Sequence, residues 1–225
     1  MHPTPDAAAS THTPTQGGLV LLGAGGHAAV VAESARRAGF AVVGVAGKDA
    51  PPTAAPFSGV PWLGDPDGAG ASAIEALVAS GACLHAAAGD AAVRARWIGR
   101  FGREAFIAIV DPSAVLSPSA QVEKGAFIGP RAAVNARARI GLAAIANTGA
   151  IVEHDCDVAA FAHVSPGAIL CGAARVGEGA QIGAGAVVLP RQSVGAHSIV
   201  GAGAVLVESI GPSVVAVGVP ARVRA

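Results

Sequence analysis

From residue 108 to residue 209 the apolar positions recur every six residues, without one insertion or deletion. Written in sixes, the stretch runs AIVDPS, AVLSPS, AQVEKG, AFIGPR and onward through 17 hexads to AVLVES. The first position is Ala in 14 of the 17, with Cys156, Gln192 and Ser198 the others, and the third is Val, Ile or Leu in all but Ala146. A helix of 3.6 residues per turn cannot keep such a seam on one face, and a flat strand alternates every two. A short strand followed by a corner can: residues two apart point inward together, while Gly, Asn or Asp near the corner relieves the backbone. The pattern predicts a parallel β-helix of three-sided coils, 18 residues each, so 17 hexads make between five and six coils.

Upstream the pattern changes. GLVLLG (18–23) is a short apolar run that predicts a buried strand, and GAGGHAAVVAESARRAGF predicts a helix from about His27 with Gly39 as its stop. Residues 41–45 predict a second buried strand, followed by a Pro- and Ala-rich loop (47–59) and VPWLGD. Ser72 and Glu75 match a capping box for a helix ending at Gly81. CLHAAAGD predicts a third strand, with Asp90 as N-cap of a helix that carries Arg94, Arg96, Trp97 and Arg100 and stops at Gly102. Strands alternating with helices predict a small Rossmann-like parallel α/β domain over residues 18–105, and the β-helix with its C-terminal tail then takes 106–225. Residues 1–17, rich in Pro, Thr and Ala, read as a disordered tail and not as a signal peptide.

Composition narrows the class. The 225 residues carry no net charge, which points away from nucleic acid and from anionic membrane surfaces. No apolar run reaches the 18 or so residues of a membrane span. High Ala and Gly with no Tyr suits a coil of narrow interior. Cys83, Cys156 and Cys171 form no CxxC and no even framework, and read as reduced thiols of a cytoplasmic protein.

Two constellations carry candidate chemistry. Gly23-Ala24-Gly25-Gly26-His27 sits between a strand and a helix, the context of a phosphate cradle, where glycines admit an anion to free N–H groups at a helix start. A dinucleotide would also want an acid closing the second strand, but Gly44-Val45-Ala46-Gly47 stands there, with Asp49 two residues on. A nucleotide-linked substrate fits better; a tight turn with no ligand is the plainer alternative. In the β-helix, His154 and Asp155 lie in AIVEHD, and Gly172 follows His154 by 18 residues, one full coil. The two should stack at about 4.8 Å, putting a base beside a backbone N–H, the pair that acyl transfer needs. His163 takes the second hexad position, pointing outward beside a neighbouring coil or subunit, either as a site residue or as a hydrogen-bonding surface residue. Zinc needs three converging histidines and coil arithmetic brings only two near each other, which disfavours a metal.

With those residues in hand, the chain resembles the NeuD-like sugar O-/N-acyltransferases, which include sialic acid O-acetyltransferases and N-acetyltransferases of UDP- or GDP-linked 4-amino-4,6-dideoxy sugars. The resemblance rests on GAGGHA, GVPWLGD, AGD with Arg94, VDPSAVLSPSA, NTGAIVEHDCDV, FAHVSPGAIL, IGAGAVV, VGAGAVL and VGVPA. It implies a left-handed β-helix and an acetyl-CoA-dependent homotrimer with its site between adjacent β-helices. It further implies that His154 is the general base, that Asp155 orients it, and that the Gly172 N–H supports the thioester oxyanion. Asn147 and His163 would shape the acceptor side, pantetheine would pass Gly172, Ala184, Ala202, Gly218 and Pro220, and Gly23, Gly25, Gly26 and His27 would hold the nucleotide or sugar. Many relatives carry an acidic pair where this chain has Ala46-Gly47-Lys48-Asp49, which leaves the nucleotide open. O-acetylation of a sugar acid is one competing expectation; a non-catalytic trimeric nucleotide-sugar-binding scaffold is another, against which the stacked His154 and Gly172 argue.

Overall fold

A computed structural model describes residues 17–224; the expected tail lies outside the described residues save for Gly17. The first unit is a three-stranded parallel sheet of order β2-β1-β3, with β1 Leu19–Leu22, β2 Val42–Ala46 and β3 Cys83–Ala86. Helices α1 (Gly26–Arg37), α2 (Ala71–Ala79) and α3 (Ala91–Phe101) connect and cover it. All four β1 side chains are fully buried, as expected for the central strand of a covered parallel sheet. α1 starts one residue before His27, with Gly25 as its N-cap, and Gly39 follows its end at φ +90°. Asp90 caps α3 by accepting from the Val93 N–H at 3.0 Å.

The capping box at Ser72 does not form. α2 begins at Ala71, its N-cap is Gly70, and no side chain caps it, so Ser72 lies within the first turn. The cause is close packing: a Cβ on Gly70 would stand 2.6 Å from the Leu63 carbonyl oxygen, and only glycine lets the helix start there.

A 3₁₀ turn (Arg103–Ala105) and a bridge from Phe106 to Leu84 of β3 lead into the coil, whose first strand is Ile109–Val110. Two-residue strands then recur every six residues and stack on three faces. The first face begins at Ile109–Val110, the second at Val115–Leu116 and the third at Gln121–Val122. Each strand pairs in parallel with the one 18 residues later, as Ile145 does with His163 and Ile151 with Ile169. The first and third hexad positions fill one interior column, among them Ala150, Val152, Ala168, Leu170 and Ala186. Val215–Gly218 extends the first face and Ala221–Val223 turns back antiparallel beside it.

The corners depart from the expected chemistry. The sixth hexad position takes positive φ without interruption from Gly125 to Gly203, yet Arg131, Arg137, Ala143, Asp155, Phe161, Ala173, Arg191 and His197 occupy it as well as glycines. A left-handed residue other than glycine costs roughly 1–2 kcal/mol. The coil offsets that cost by giving the corner N–H an acceptor one coil below, as from Asp155 to the Ala136 carbonyl (3.0 Å) or from Arg137 to the Ser119 hydroxyl (3.1 Å). The helices are all shorter than a membrane span, and none of those described is long and apolar enough to cross one.

Candidate active site

At the edge between the second and third faces, the strand Ile151–Val152 ends and His154 and Asp155 form the turn before Asp157–Val158. The positive φ of Asp155 brings its carboxylate round to its neighbour, and the His154 Nδ1–H donates to Asp155 Oδ2 at 2.7 Å. Arg137, one coil below, grips the same carboxylate through Nε (2.6 Å) and Nη2 (2.8 Å). The Arg137 hydrogen bonds and then that of His154 hold the Asp155 carboxyl far below the usual carboxylate range, so it stays ionised. This orientation leaves His154 Nε2 as the acceptor, the form a general base needs. The imidazole overlies Gly172 as coil arithmetic places it: a Cβ on Gly172 would lie 2.7 Å from both Cε1 and Nε2 of His154. The Gly172 N–H has no hydrogen-bond partner among the described residues. The His154 side chain is 58% exposed, so a single chain does not enclose it.

The glycine turn opens a second site. Gly23, Ala24 and Gly25 line a cleft of about 430 Å³ with the loop from Gly47 to Ala50, Asp65, Asp67 and the α3 residues Val93, Arg96 and Trp97. Gly23 adopts φ +124° and a Cβ there would strike the Ala87 carbonyl at 2.4 Å, whereas Gly25 and Gly26 face open space. Free N–H groups at the start of a three-turn helix facing a cleft suit an anion. Arg96 is committed to Asp67 by two hydrogen bonds of 3.1 and 2.7 Å.

A third cluster joins the two units. His27 leaves the start of α1 and meets the first face of the coil, edge-on to Phe127 (5.5 Å between centroids) and beside His163 (6.4 Å). Within the chain, the N-terminal unit thus covers part of His163 through His27. The His163 Nε2 accepts from Asn147 Nδ2 at 3.0 Å, and the Asn147 Oδ1 is fixed by the Thr148 N–H at 2.8 Å. Behind them Arg94, fully buried, spends its guanidinium on main-chain carbonyls of both units: Ala88 (2.9 Å) and Gly89 (2.7 Å) on one side, Ala143 (2.8 Å) and Phe161 on the other. Burial lowers its pKa to about 10, so it remains a cation at neutral pH. Burial first and this cation second pull His27 and His163 down to about 4, and burial does the same to His85, which donates to the Ile107 carbonyl at 3.0 Å.

Three histidines held neutral make stability acid-sensitive. Each binds a proton near pH 6.5 when unfolded but only near pH 4 when folded, so stability is full above about 6.5 and is lost as pH falls towards 4. The loss for one such histidine is on the order of 3 kcal/mol. Urea titrations at pH 7 and pH 5 should therefore show a lower midpoint at pH 5. Replacing His85 by Gln should shrink the difference, and a flat profile in the unsubstituted protein would contradict these protonation states.

The remaining residues divide between two edges of the prism. Asn147, with Thr148 and Gly149, turns from the first face to the second; Ala184 and Ala202 occupy the same edge one and two coils further up, starting from the coil of His163. Gly218 ends the last strand of the first face, and Pro220 lies in the turn after it. His154, Asp155 and Gly172 lie on the other side of the second face. One chain thus brings together His27, His163 and Asn147, and separately His154, Asp155 and Gly172. Arg137 was missed in the sequence, although the same 18-residue step that links His154 to Gly172 links Arg137 to Asp155. Cys171, adjacent to Gly172, has its thiol pushed up by burial and by Glu153, which disfavours a nucleophile there.

Known proteins share this fold. Residues 18–101 match the family described as the PglD N-terminal domain. A histidine variant of perosamine N-acetyltransferase from Caulobacter crescentus, solved in complex with CoA and GDP-perosamine, is 41% identical. The match covers 93% of this chain and 98% of that one, with a TM-score of 0.83. The acetyltransferase domain of PglB from Neisseria gonorrhoeae, solved with acetyl coenzyme A, is 33% identical over 92% of this chain and 98% of that one, TM-score 0.80. WeeI from Acinetobacter baumannii, at 23% identity, 92% and 99% coverage and TM-score 0.79, shares the fold. On identity that runs through both units and nearly the full length of each partner, the chain belongs to the NeuD-like sugar acyltransferases with a hexapeptide-repeat β-helix.

Proposed function

We propose that the protein is an acetyl-CoA-dependent N-acetyltransferase acting on a nucleotide-linked 4-amino-4,6-dideoxy sugar. The observation that carries this reading is the His154 imidazole, held by Asp155 and Arg137 and laid over the unpaired Gly172 N–H. That pair suits attack by an amine on a thioester. His154 Nε2 takes the proton as the amine adds to the thioester carbonyl, and the Gly172 N–H supports the oxygen as it gains charge. Collapse forms the amide, breaks the C–S bond and returns the proton from His154 to the departing CoA sulfur. No covalent acyl-enzyme is needed. Asp155 does not itself take the proton; it stabilises the imidazolium while Arg137 keeps it in place.

The acceptor enters from the N-terminal unit. With its diphosphate on the Gly23–Gly26 turn, the attached sugar takes a path past His27 towards His163 and Asn147, which lie together within one chain. That path ends at the edge between the first and second faces, whereas His154 stands at the next edge. A closed threefold ring supports the missing step, by setting the His154 edge of one copy against the Asn147 edge of its neighbour. Acetyl-CoA would lie between them, along Ala184, Ala202, Gly218 and Pro220. We read the protein as a soluble homotrimer that works in the cytoplasm without a metal.

The test is release of free CoA thiol from acetyl-CoA with UDP- and GDP-linked 4-amino-4,6-dideoxy sugars and free sialic acid as acceptors. Turnover with a nucleotide amino sugar is expected. Turnover with sialic acid alone would replace N-acetylation by O-acetylation, and no release with any acceptor would overturn the reading.

A further inference from the structure

We infer that Arg94 is a positioning residue for the acceptor side of the site, holding the histidine that aims Asn147, an inference that rests on the acceptor path read above. The chain of contacts starts from a backbone donor. The Thr148 N–H meets Asn147 Oδ1 at 2.8 Å, which fixes the amide and leaves its Nδ2 to face His163 Nε2 at 3.0 Å. An amide nitrogen only donates, so His163 Nε2 is the acceptor and the single proton of the neutral ring sits on Nδ1. The Gly89 carbonyl hydrogen-bonds the same ring, and Nδ1–H is the donor left for it. Gly89 in turn accepts from Arg94 Nη1 at 2.7 Å. The line Arg94, Gly89, His163, Asn147 ends on the second Asn147 Nδ2–H, which has no partner among the described residues.

Arg94 also grips the coil where these residues begin. It donates to the carbonyls of Ala143 (2.8 Å) and Phe161, each two residues before a strand of the first face. Those strands, Ile145–Ala146 and His163–Val164, pair with each other; Asn147 follows the first directly and His163 opens the second. One planar guanidinium thus sets the Ala88–Gly89 turn, the strand that leads to Asn147 and the strand of His163 against one another.

A staple between two units need not be charged. Arg94 is fully buried and bonds only to main-chain carbonyls, with Asp90 acting on it through space. Burying a cation without a bonded carboxylate is costly, and apolar packing joins two surfaces at less cost. What the charge adds is felt at His163. A protonated ring would turn an N–H towards the Asn147 N–H and break the line. Burial first, then the Arg94 cation and His27, oppose that proton. His27 on α1 and His85 on β3, which pack on Phe127 beside this ring, are held neutral as well, so no second charge competes with Arg94 from those elements.

Two measurements on the full chain test this: thiol-release kinetics with each substrate varied in turn, and ring-nitrogen NMR of isotope-labelled histidines. In the unsubstituted protein the His163 signal, identified as the one that His163→Gln removes, should report its proton on Nδ1 at pH 7. Arg94→Met should raise KM for the nucleotide amino sugar about 10-fold, the factor equivalent to one misplaced hydrogen bond, and change KM for acetyl-CoA little. It should also let His163 take a proton at higher pH, because removing a cation raises the pKa of its neighbour. Arg94→Lys keeps a cation with fewer donors, and should recover most of the resistance to protonation and part of the KM. A mere staple would lower the melting temperature of both variants and move neither KM nor the His163 signal, a pattern that would overturn the inference. A proton on Nε2 in the unsubstituted protein would overturn it too, which keeps the question decidable when Arg94→Met does not fold. Either result, obtained while a nucleotide amino sugar is still acetylated, removes the role of Arg94 alone. Absence of turnover with any nucleotide amino sugar sinks the acceptor reading with it.

Discussion

Replacing His154 by alanine is expected to lower turnover by about 10²- to 10⁴-fold, the usual contribution of a positioned general base. The protein should remain folded. The imidazole is 58% exposed and its one hydrogen bond runs to Asp155, itself a partly exposed carboxylate, so the interior column of the coil is untouched. Thiol release under saturating acetyl-CoA, with thermal melting as a control, reads both effects. The loss should fall on the chemical step and leave acetyl-CoA binding largely intact. A variant that melts normally and turns over at a near-normal rate would remove His154 from the mechanism. Asp155→Asn should give a smaller loss in the same direction, because the amide cannot stabilise the imidazolium.

Adding one methyl group at Gly172 is expected to cost nearly as much. The new Cβ would need the space of the His154 imidazole, 2.7 Å from two of its ring atoms, so one of them must move. The ring is the freer partner, since the Gly172 backbone is held by the coil, with its carbonyl accepting from the Arg191 N–H at 3.0 Å. Gly172→Ala should therefore swing the base away from the N–H it works with, lowering turnover by about 10²-fold or more while the melting temperature stays within a few degrees. An alanine at Gly185 is the informative contrast: it too adds a methyl at a corner, but into open space. Its positive φ imposes a modest strain and no loss of the base. If both variants kept full activity, contact between His154 and Gly172 would have no part in catalysis.

Much of this was legible in the hexads, because a strict period is also a coordinate system. The step of 18 residues placed Gly172 over His154 before any coordinates, and would equally have placed Arg137 under Asp155. It also determines the edge on which a residue falls, so the separation of Asn147 from His154 was implicit in their hexad positions. What the period cannot reach is contact between the two units. His27, His163 and Arg94 are brought together by packing of an α/β unit on one face of a coil, between residues as far apart in sequence as Arg94 and Phe161. Local pattern failed for a different reason at Ser72, where close packing of Gly70 on Leu63 set the start of α2 and a matching cap went unused. The corners show the same precedence: a hydrogen bond from one coil to the next lets Phe161 or His197 adopt the conformation expected of glycine.

Mixing two inactive proteins puts the chemistry and the assembly to a single test. One carries His154→Ala and lacks the base on its edge; the other carries Asn147→Ala with His163→Ala and lacks the acceptor side on the adjacent edge. Each should be inactive or nearly so by thiol release when assembled alone. If every site is built from the His154 edge of one copy and the Asn147 edge of the next, co-refolding equal amounts should restore about a quarter of the sites. Recovery of roughly that fraction of unsubstituted activity is the expected result. A mixture as inactive as its components would contradict a site shared between copies.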